Sequence, residues 1–325
     1  MRHFTSGGLR CAASLFRPTD MPGALAPCVV MAHGFTGTRD QLTLYAEAFA
    51  SAGLAVLTFD YRNFGKSEGS PRQIVDIGKQ MEDWRSAIAM ARTVDRVDSK
   101  RIALWGSSLS GGHVINLAAE DSTLAAVVAQ VPAIDKSAHG ISAEARAKMT
   151  REGISVGSLI AVSLRSLAAG IYDEVRGLVG LSPHYIAVFG RPGQVAAFTD
   201  REWESRLAVF ARGPTWRNEF APRFLFRTPK YVHGTAERIR MPLLVCVAEQ
   251  DTEANPELAI DMRPITPCLA AVYAGLPLMP MMPAPDDVFT IAPPPCCSIS
   301  GISCFMQRKT PRRSISMIRF HSSSS

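Results

Sequence analysis

The stretch Arg101-Ile102-Ala103-Leu104-Trp105-Gly106-Ser107-Ser108-Leu109-Ser110-Gly111-Gly112 decides the fold. Arg101 to Leu104 is an apolar strand candidate and a helix-like pattern follows Gly112, so the glycines and serines between them form a sharp strand-to-helix turn. A turn of this kind with a nucleophile at its tip needs small residues two positions to either side, because the backbone folds too tightly there for larger side chains. Gly106 and Ser110 fill those positions around Ser108, with Ser110 standing where a second glycine is commoner. Gly111 and Gly112 keep the next turn open. A phosphate loop is the competing reading of a glycine-rich turn at a helix start, and the lack of a lysine after the glycines argues against it.

Upstream, Cys28-Val29-Val30-Met31-Ala32-His33-Gly34-Phe35 is a buried-strand run that ends in His-Gly. A glycine-containing turn after a central strand can aim a backbone N–H at developing negative charge, which makes the N–H of Phe35 one half of a candidate oxyanion hole. The N–H of Leu109, next to Ser108, is the other half. His33 sits inside the turn itself, which favours a structural role over that of a base.

The units that follow alternate helix and strand. Residues 40 to 52 space their apolar positions like an amphipathic helix closed by Gly53, and Leu54 to Phe59 is a strand leading into Asp60-Tyr61-Arg62-Asn63-Phe64-Gly65-Lys66-Ser67. Residues 72 to 92 form a second helix with Ile77, Met81, Trp84, Ile88 and Ala91 on one stripe, and Leu124 to Val131 is another apolar strand. Strands that are apolar throughout and separated by helices imply a parallel sheet covered on both faces. Phe4-Thr5 and Cys11 to Phe16 around Gly7-Gly8 read as a hairpin at the sheet edge.

This order, with its His-Gly-Phe turn, Asp-Tyr-Arg-x-x-Gly-x-Ser and Gly-Ser-Ser-Leu-Ser-Gly-Gly-His, resembles the α/β-hydrolase superfamily over residues 4 to 131 and again over 237 to 259. Within it, Phe59 to Gly69 and Trp105 to Val114 are similar to a bacterial and fungal branch that includes acyl transferases and thiohydrolases of fungal polyketide clusters. The resemblance implies a mostly parallel central sheet with helices on both faces, a helical lid inserted after the strand at 124 to 131, and Ser108 as nucleophile. It divides the chain into a first core part at 1–131, a lid or cap at 132–238, a second core part at 239–262 and an atypical tail at 263–325.

The 132–238 segment is helix-rich in pattern, with Ser155 to Leu167 and Ile171 to Val179, and it then turns aromatic at Tyr185, Phe189, Phe198, Phe210, Phe220 and Phe224. Most of these rings serve the segment's own core, and the rest suit an acyl chain. After it, Met241 to Ala248 is a buried strand followed by Glu249-Gln250-Asp251. The resemblance places the triad acid in that turn, at Asp251, with Glu249 and Glu253 as weaker candidates. It also calls for a Gly-His loop 20 to 35 residues further on, and no histidine lies between Asp251 and Phe320. Leu269-Ala270-Ala271 stand where relatives carry His-Phe-Asp. His113 packs in the core, His233 lies at the wrong end of a parallel sheet, His139 and His184 are surface or hydrogen-bonded residues, and His321 is too distant to serve. Losing this histidine costs on the order of a millionfold in turnover.

Composition adds bounds. Ten of the 22 prolines and four of the seven cysteines fall in the last 63 residues, which marks 263–325 as a frameshifted or mis-spliced tail or a pseudoenzyme's divergence. That tail also carries +4 of the net charge of +6, so the body is an ordinary mixed surface and no nucleic-acid partner is expected. An odd number of cysteines without Cys-x-x-Cys spacing argues against a disulfide framework and a zinc site, and neither a metal nor a cofactor is expected. No signal peptide or membrane-spanning run is seen, so the expectation is a cytoplasmic protein; the peroxisomal Ser-Lys-Leu ending of some targeted proteins is absent. The substrate implied is a small-molecule ester or thioester with an apolar acyl group, including a carrier-bound polyketide chain, with a serine peptidase and a non-catalytic hydrolase-fold binding protein as alternatives. No acidic cluster marks an amine-binding site.

Overall fold

The computed structural model describes residues 1–18, 24–134, 150, 155–199, 201–230, 232–248, 269–274, 303–304 and 320–321. Eight strands make one sheet. They are β1 (Arg2–Ser6), β2 (Leu9–Phe16), β3 (Ala26–Ala32), β4 (Ala55–Phe59), β5 (Val97–Ser107), β6 (Ala126–Gln130), β9 (Leu243–Ala248) and β10 (Leu269–Ala274), in the spatial order β1-β2-β4-β3-β5-β6-β9-β10. β1 and β2 form the expected edge hairpin, β2 pairs antiparallel with β4, and every pairing beyond β4 is parallel. The short pair β7 (Ala187–Gly190) and β8 (Ala196–Thr199) stands outside this sheet.

The apolar runs bury both faces of the sheet, and the side-chain period of two sorts them. Cys28, Val30 and Ala32 of β3 with Ile102 and Leu104 of β5 enter the core that also holds Trp84, Ile88, Val114 and Leu117. Val29 and Met31 with Trp105 point the other way, onto Leu42, Ala46 and Phe49. Helix α1 (Thr43–Ser51), entered through a 3-10 turn at Arg39–Leu42, therefore covers one face, while α2 (Ile77–Thr93) and α3 (Leu109–Glu120) cover the other. α2 begins at Ile77, the first residue of its apolar stripe, and not at the expected residue 72, because Asp76 caps it by accepting from the Lys79 N–H at 3.1 Å.

The chain winds from β3 to β4 in one direction and then crosses back past β3 to β5. The carboxyl ends of β3 and β5 thus flank a topological switch point, where ligand crevices form in sheets of this kind.

Between β6 and β9 the chain leaves the sheet. The helix Val156–Leu178 is continuous where the sequence suggested two, since Gly170 is a packing contact and not a break. A Cβ there would lie 3.0 Å from two atoms of the Phe226 ring. The short helix Trp203–Phe210 and a 3-10 turn at Pro222–Phe226 follow. Six residues of the segment set apart by composition as a tail, Leu269–Ala274, lie in the sheet as β10, an apolar run in parallel register with β9. Among the described residues no helix is long and apolar enough to cross a membrane.

Candidate active site

Ser108 occupies the turn between β5 and α3 with φ +55° and ψ −117°, a backbone conformation that costs a non-glycine residue about 1–3 kcal/mol. Its surroundings enforce it. The Ser108 N–H donates to the Gln130 carbonyl at 2.9 Å, and the Ser108 carbonyl accepts from the N–H groups of Ala133 at 2.9 Å and Gly112 at 3.2 Å. A Cβ on Gly106 would stand 2.3 Å from the Ser110 carbonyl oxygen, and one on Gly112 2.3 Å from that of Ala133. The small residues read from the sequence are thus required by contact.

β3 and β5 pair in a register that sets Ala32 beside Gly106, which brings Gly34 against the tip of the turn. A Cβ on Gly34 would lie 3.1 Å from Ser108 Cβ and 3.7 Å from its Oγ. Phe35 follows directly and is half-buried, with its ring 4.9 Å from Phe220, 5.1 Å from Phe224 and 6.0 Å from Phe198. Leu109 opens α3, where a first-turn N–H has no intrahelical acceptor. Among the described residues the N–H groups of Phe35 and Leu109 bond to no backbone carbonyl, and the Ser108 hydroxyl has no hydrogen-bond partner. Gly34 and Ser108 therefore meet, with Phe35 and Leu109 next to them in the chain, and the Phe35 ring lies among aromatic rings of the segment between β6 and β9.

A buried polar chain braces this point from behind. Trp84 Nε1–H donates to the Tyr61 hydroxyl at 2.7 Å, Tyr61 and Ser110 share a short hydrogen bond, and Ser110 Oγ donates to the His33 carbonyl. An indole only donates and a carbonyl only accepts, so every proton in the chain points from Trp84 toward His33. The Ser110 hydroxyl is thereby committed, which leaves Ser108 as the unengaged hydroxyl of the pair. The turn after β4 is pinned as well. Asp60, fully buried, accepts from the N–H groups of Arg39 at 2.8 Å and Lys66 at 3.0 Å, and Asp83 takes both the N–H and Nε of Arg62 at 2.9 and 2.7 Å.

The histidines near the site are structural. His33 is fully buried, with Nδ1 2.9 Å from the Gly34 carbonyl and its ring edge-on to Tyr61. Burial pulls its pKa below the ordinary value, against the opposing pull of Asp60. His113 bonds Gln80 Oε1 through Nε2 at 2.9 Å and is held down to about 3, first by burial and then by His33. Both rings are neutral near pH 7. His184 is half-buried beside Tyr172, and exposed His233 precedes the amino end of β9, opposite the end of the sheet that carries Ser108. Asp251, Glu249, Glu253 and His139 lie outside the described residues. The register Leu269↔Leu243 puts Leu269 to Ala271 at the amino end of β10, also opposite Ser108.

Comparison with known proteins agrees with this architecture. Residues 24–263 match the Hydrolase_4 family model, described as serine aminopeptidase, S33. The quorum-quenching protein AidA of Acinetobacter baumannii is 37% identical over 267 residues, covering 81% of this chain and 82% of that protein. The thiohydrolase aneE of Aspergillus aculeatus is 38% identical over 132 residues, 40% of each chain. Among solved structures, the α/β hydrolase GrgF of a Penicillium species superposes with a TM-score of 0.64 at 22% identity, covering 84% of this chain and 89% of that one. The chain belongs to the Hydrolase_4 family of α/β hydrolases.

Proposed function

We propose that this chain is a serine-nucleophile hydrolase or acyl transferase for an ester or thioester with an apolar acyl group, and that its turnover is impaired as the sequence stands. The observation that carries the reading is the strained elbow at Ser108, whose hydroxyl has no hydrogen-bond partner among the described residues and which lies against Gly34. In the proposed reaction Ser108 Oγ attacks the acyl carbonyl, its proton passes to a base, and the carbonyl oxygen becomes an oxyanion held by the N–H groups of Phe35 and Leu109. Collapse expels the thiolate or alkoxide, which takes the proton, and leaves an acyl group on Ser108. Water or a metabolite hydroxyl then removes it. Phe198, Phe220 and Phe224, gathered on Phe35, support an apolar acyl group, with residues 132–238 acting as the lid. The thiohydrolase relative supports a thioester.

Asp251 is the proposed acid that orients a catalytic histidine. No histidine lies between Asp251 and Phe320; His113 Nε2 is bonded to Gln80, and His33 is fully buried with Nδ1 on the Gly34 carbonyl and Nε2 without a hydrogen-bond partner among the described residues. That absence favours the second reading, a non-catalytic hydrolase-fold binding protein. A fluorophosphonate serine probe separates the two. The proposed function predicts slow labelling that is lost in Ser108→Ala and accelerated by free imidazole standing in for the missing base. Fast labelling without imidazole would show that another histidine completes the relay. No labelling of folded protein under either condition would leave the binding protein. Cleavage of aminoacyl arylamides in preference to acyl thioesters would instead favour a peptidase.

A further inference from the structure

A cavity of about 400 Å3 opens beside the loop that follows β4. Its charged lining is Lys66, Arg72 and Arg217, and no carboxylate lines it. Arg72 is fixed there by its bonds to backbone, with Nη2 donating to the Gly65 carbonyl at 2.7 Å and Nη1 to those of Ser67 and Gly69. These bonds hold the guanidinium in place without neutralising it. Among the described residues Lys66 has no ion-pair partner, and Arg217 has only a loose pair with Glu219 at 3.4 Å. Thr215 and Trp216 complete the wall, and Thr215 Oγ1 and Trp216 Nε1, just beneath its surface, are without hydrogen-bond partners among the described residues. Three cations around a hollow repel one another; the Arg72 pKa is lowered, first by burial and then by Arg217, against the opposing pull of the Asp60 carboxylate that lies beneath Gly65. An anion in the hollow relieves both effects.

The cavity also has a meaningful position. β4 and β5 flank β3, so the loop after β4 and the elbow after β5 leave the same edge of the sheet two strand spacings apart, roughly 10 Å. Gly65 to Arg72 of the cavity belong to that loop, so the cavity lies on the Ser108 edge of the sheet, and a substrate with its acyl carbon at Ser108 needs a leaving portion long enough to span the gap.

We infer that the Lys66–Arg72–Arg217 cavity is a phosphate-binding subsite that holds the anionic far end of the thiol or alcohol portion of the substrate. The inference rests on the acyl-transfer reading of Ser108, and it narrows the substrate to a thioester or ester whose leaving portion bears a phosphate. Planar guanidiniums suit phosphate oxygens, and the lysine adds a mobile point charge.

The test is equilibrium binding to the full chain at low ionic strength, followed by calorimetry and by the fluorescence of Trp216. The probes are inorganic phosphate, acetate, and S-butyryl-pantetheine with and without its 4′-phosphate. Expected are saturable phosphate binding, weaker acetate binding, and at least tenfold tighter binding of the phosphorylated thioester, all weakened at least tenfold in the Lys66→Ala/Arg217→Ala double variant. Both substituted side chains are at the surface, and an unchanged circular dichroism spectrum checks the fold. Equal affinity for the two thioesters, or phosphate binding that survives the double substitution, overturns the inference. Acetate binding as tightly as phosphate overturns the choice of phosphate. These readouts need no turnover, so they are independent of Ser108: loss of probe labelling with phosphate binding intact sinks the acyl-transfer reading and leaves an oxyanion site.

Discussion

Ser110 Oγ donates to the carbonyl oxygen of His33, so the second small residue of the elbow is tied to the turn at the end of the neighbouring strand. Cutting the chain that ends there isolates its members. Tyr61→Phe leaves the fully buried Trp84 Nε1–H without an acceptor and Ser110 without its donor, and is expected to cost about 1–3 kcal/mol in urea unfolding. Ser110→Ala is expected to cost a similar amount, and the double variant less than the sum of the two. Additive losses would mean that the residues do not act as one chain.

Gly106→Ala tests the elbow itself. Its methyl group would fall 2.3 Å from the Ser110 carbonyl oxygen, so the turn must move, at an expected cost of about 3 kcal/mol or more. Gly8→Ala is the control. Gly8 has φ +76° and open space around it, which leaves only the left-handed penalty of about 1–2 kcal/mol. Thermal melts of the two variants should rank in that order, with probe labelling of Ser108 lost in Gly106→Ala alone.

His113 makes stability depend on acid. Its pKa in the folded protein, about 3, lies below the ordinary 6.5, so the unfolded chain binds the proton more readily. The stabilisation is complete above pH 6.5 and declines as pH falls toward 3, at about 1.4 kcal/mol per pH unit. His113→Gln removes that contribution. Urea midpoints between pH 7 and 4 should therefore fall less steeply in the variant, and parallel slopes would refute the assignment.

Asp173 anchors the helix Val156–Leu178 to the turn at Pro222–Phe226. Arg223 grips its carboxylate with Nε at 2.7 Å and Nη2 at 2.8 Å, and the His184 N–H adds a bond at 2.9 Å. Burial pushes the Asp173 carboxyl up, and the bonds from Arg223 outweigh it and hold the carboxyl below the usual range. Asp173→Ala should cost about 3–5 kcal/mol, borne by this helix. Hydrogen exchange is expected to rise in residues 156–178 while β3 to β5 stay protected. A uniform rise would place the pair in the global core.

The parallel sheet was legible because β3 to β6 are apolar on both faces, a composition that tolerates no other placement. The tight turn at Ser108 and the approach of Gly34 to it were legible for a related reason, since glycines at 34, 106, 111 and 112 mark backbones that approach closely. Gly170 misled because a helix-interior glycine reads as a break until its partner, Phe226, is known. The chain from Trp84 to His33 escaped because its links join residues 23 to 77 positions apart, which periodicity does not encode. A donor-only indole on an apolar stripe at Trp84 was the available sign that an acceptor had to lie nearby.

The segment that departs from the sheet after β6 is rooted in the peptides that clamp Ser108. The Gln130 carbonyl holds the Ser108 N–H, the Ala133 N–H holds its carbonyl, and between them the Val131 N–H is fastened to the Cys246 carbonyl at 2.7 Å. The root and the elbow therefore form one mechanical joint. A ligand that pulls on the segment beyond Pro132 alters the leverage on Ser108 without touching it, and a proline at 131 or 133, which lacks the bonding N–H, would cut the joint at its root.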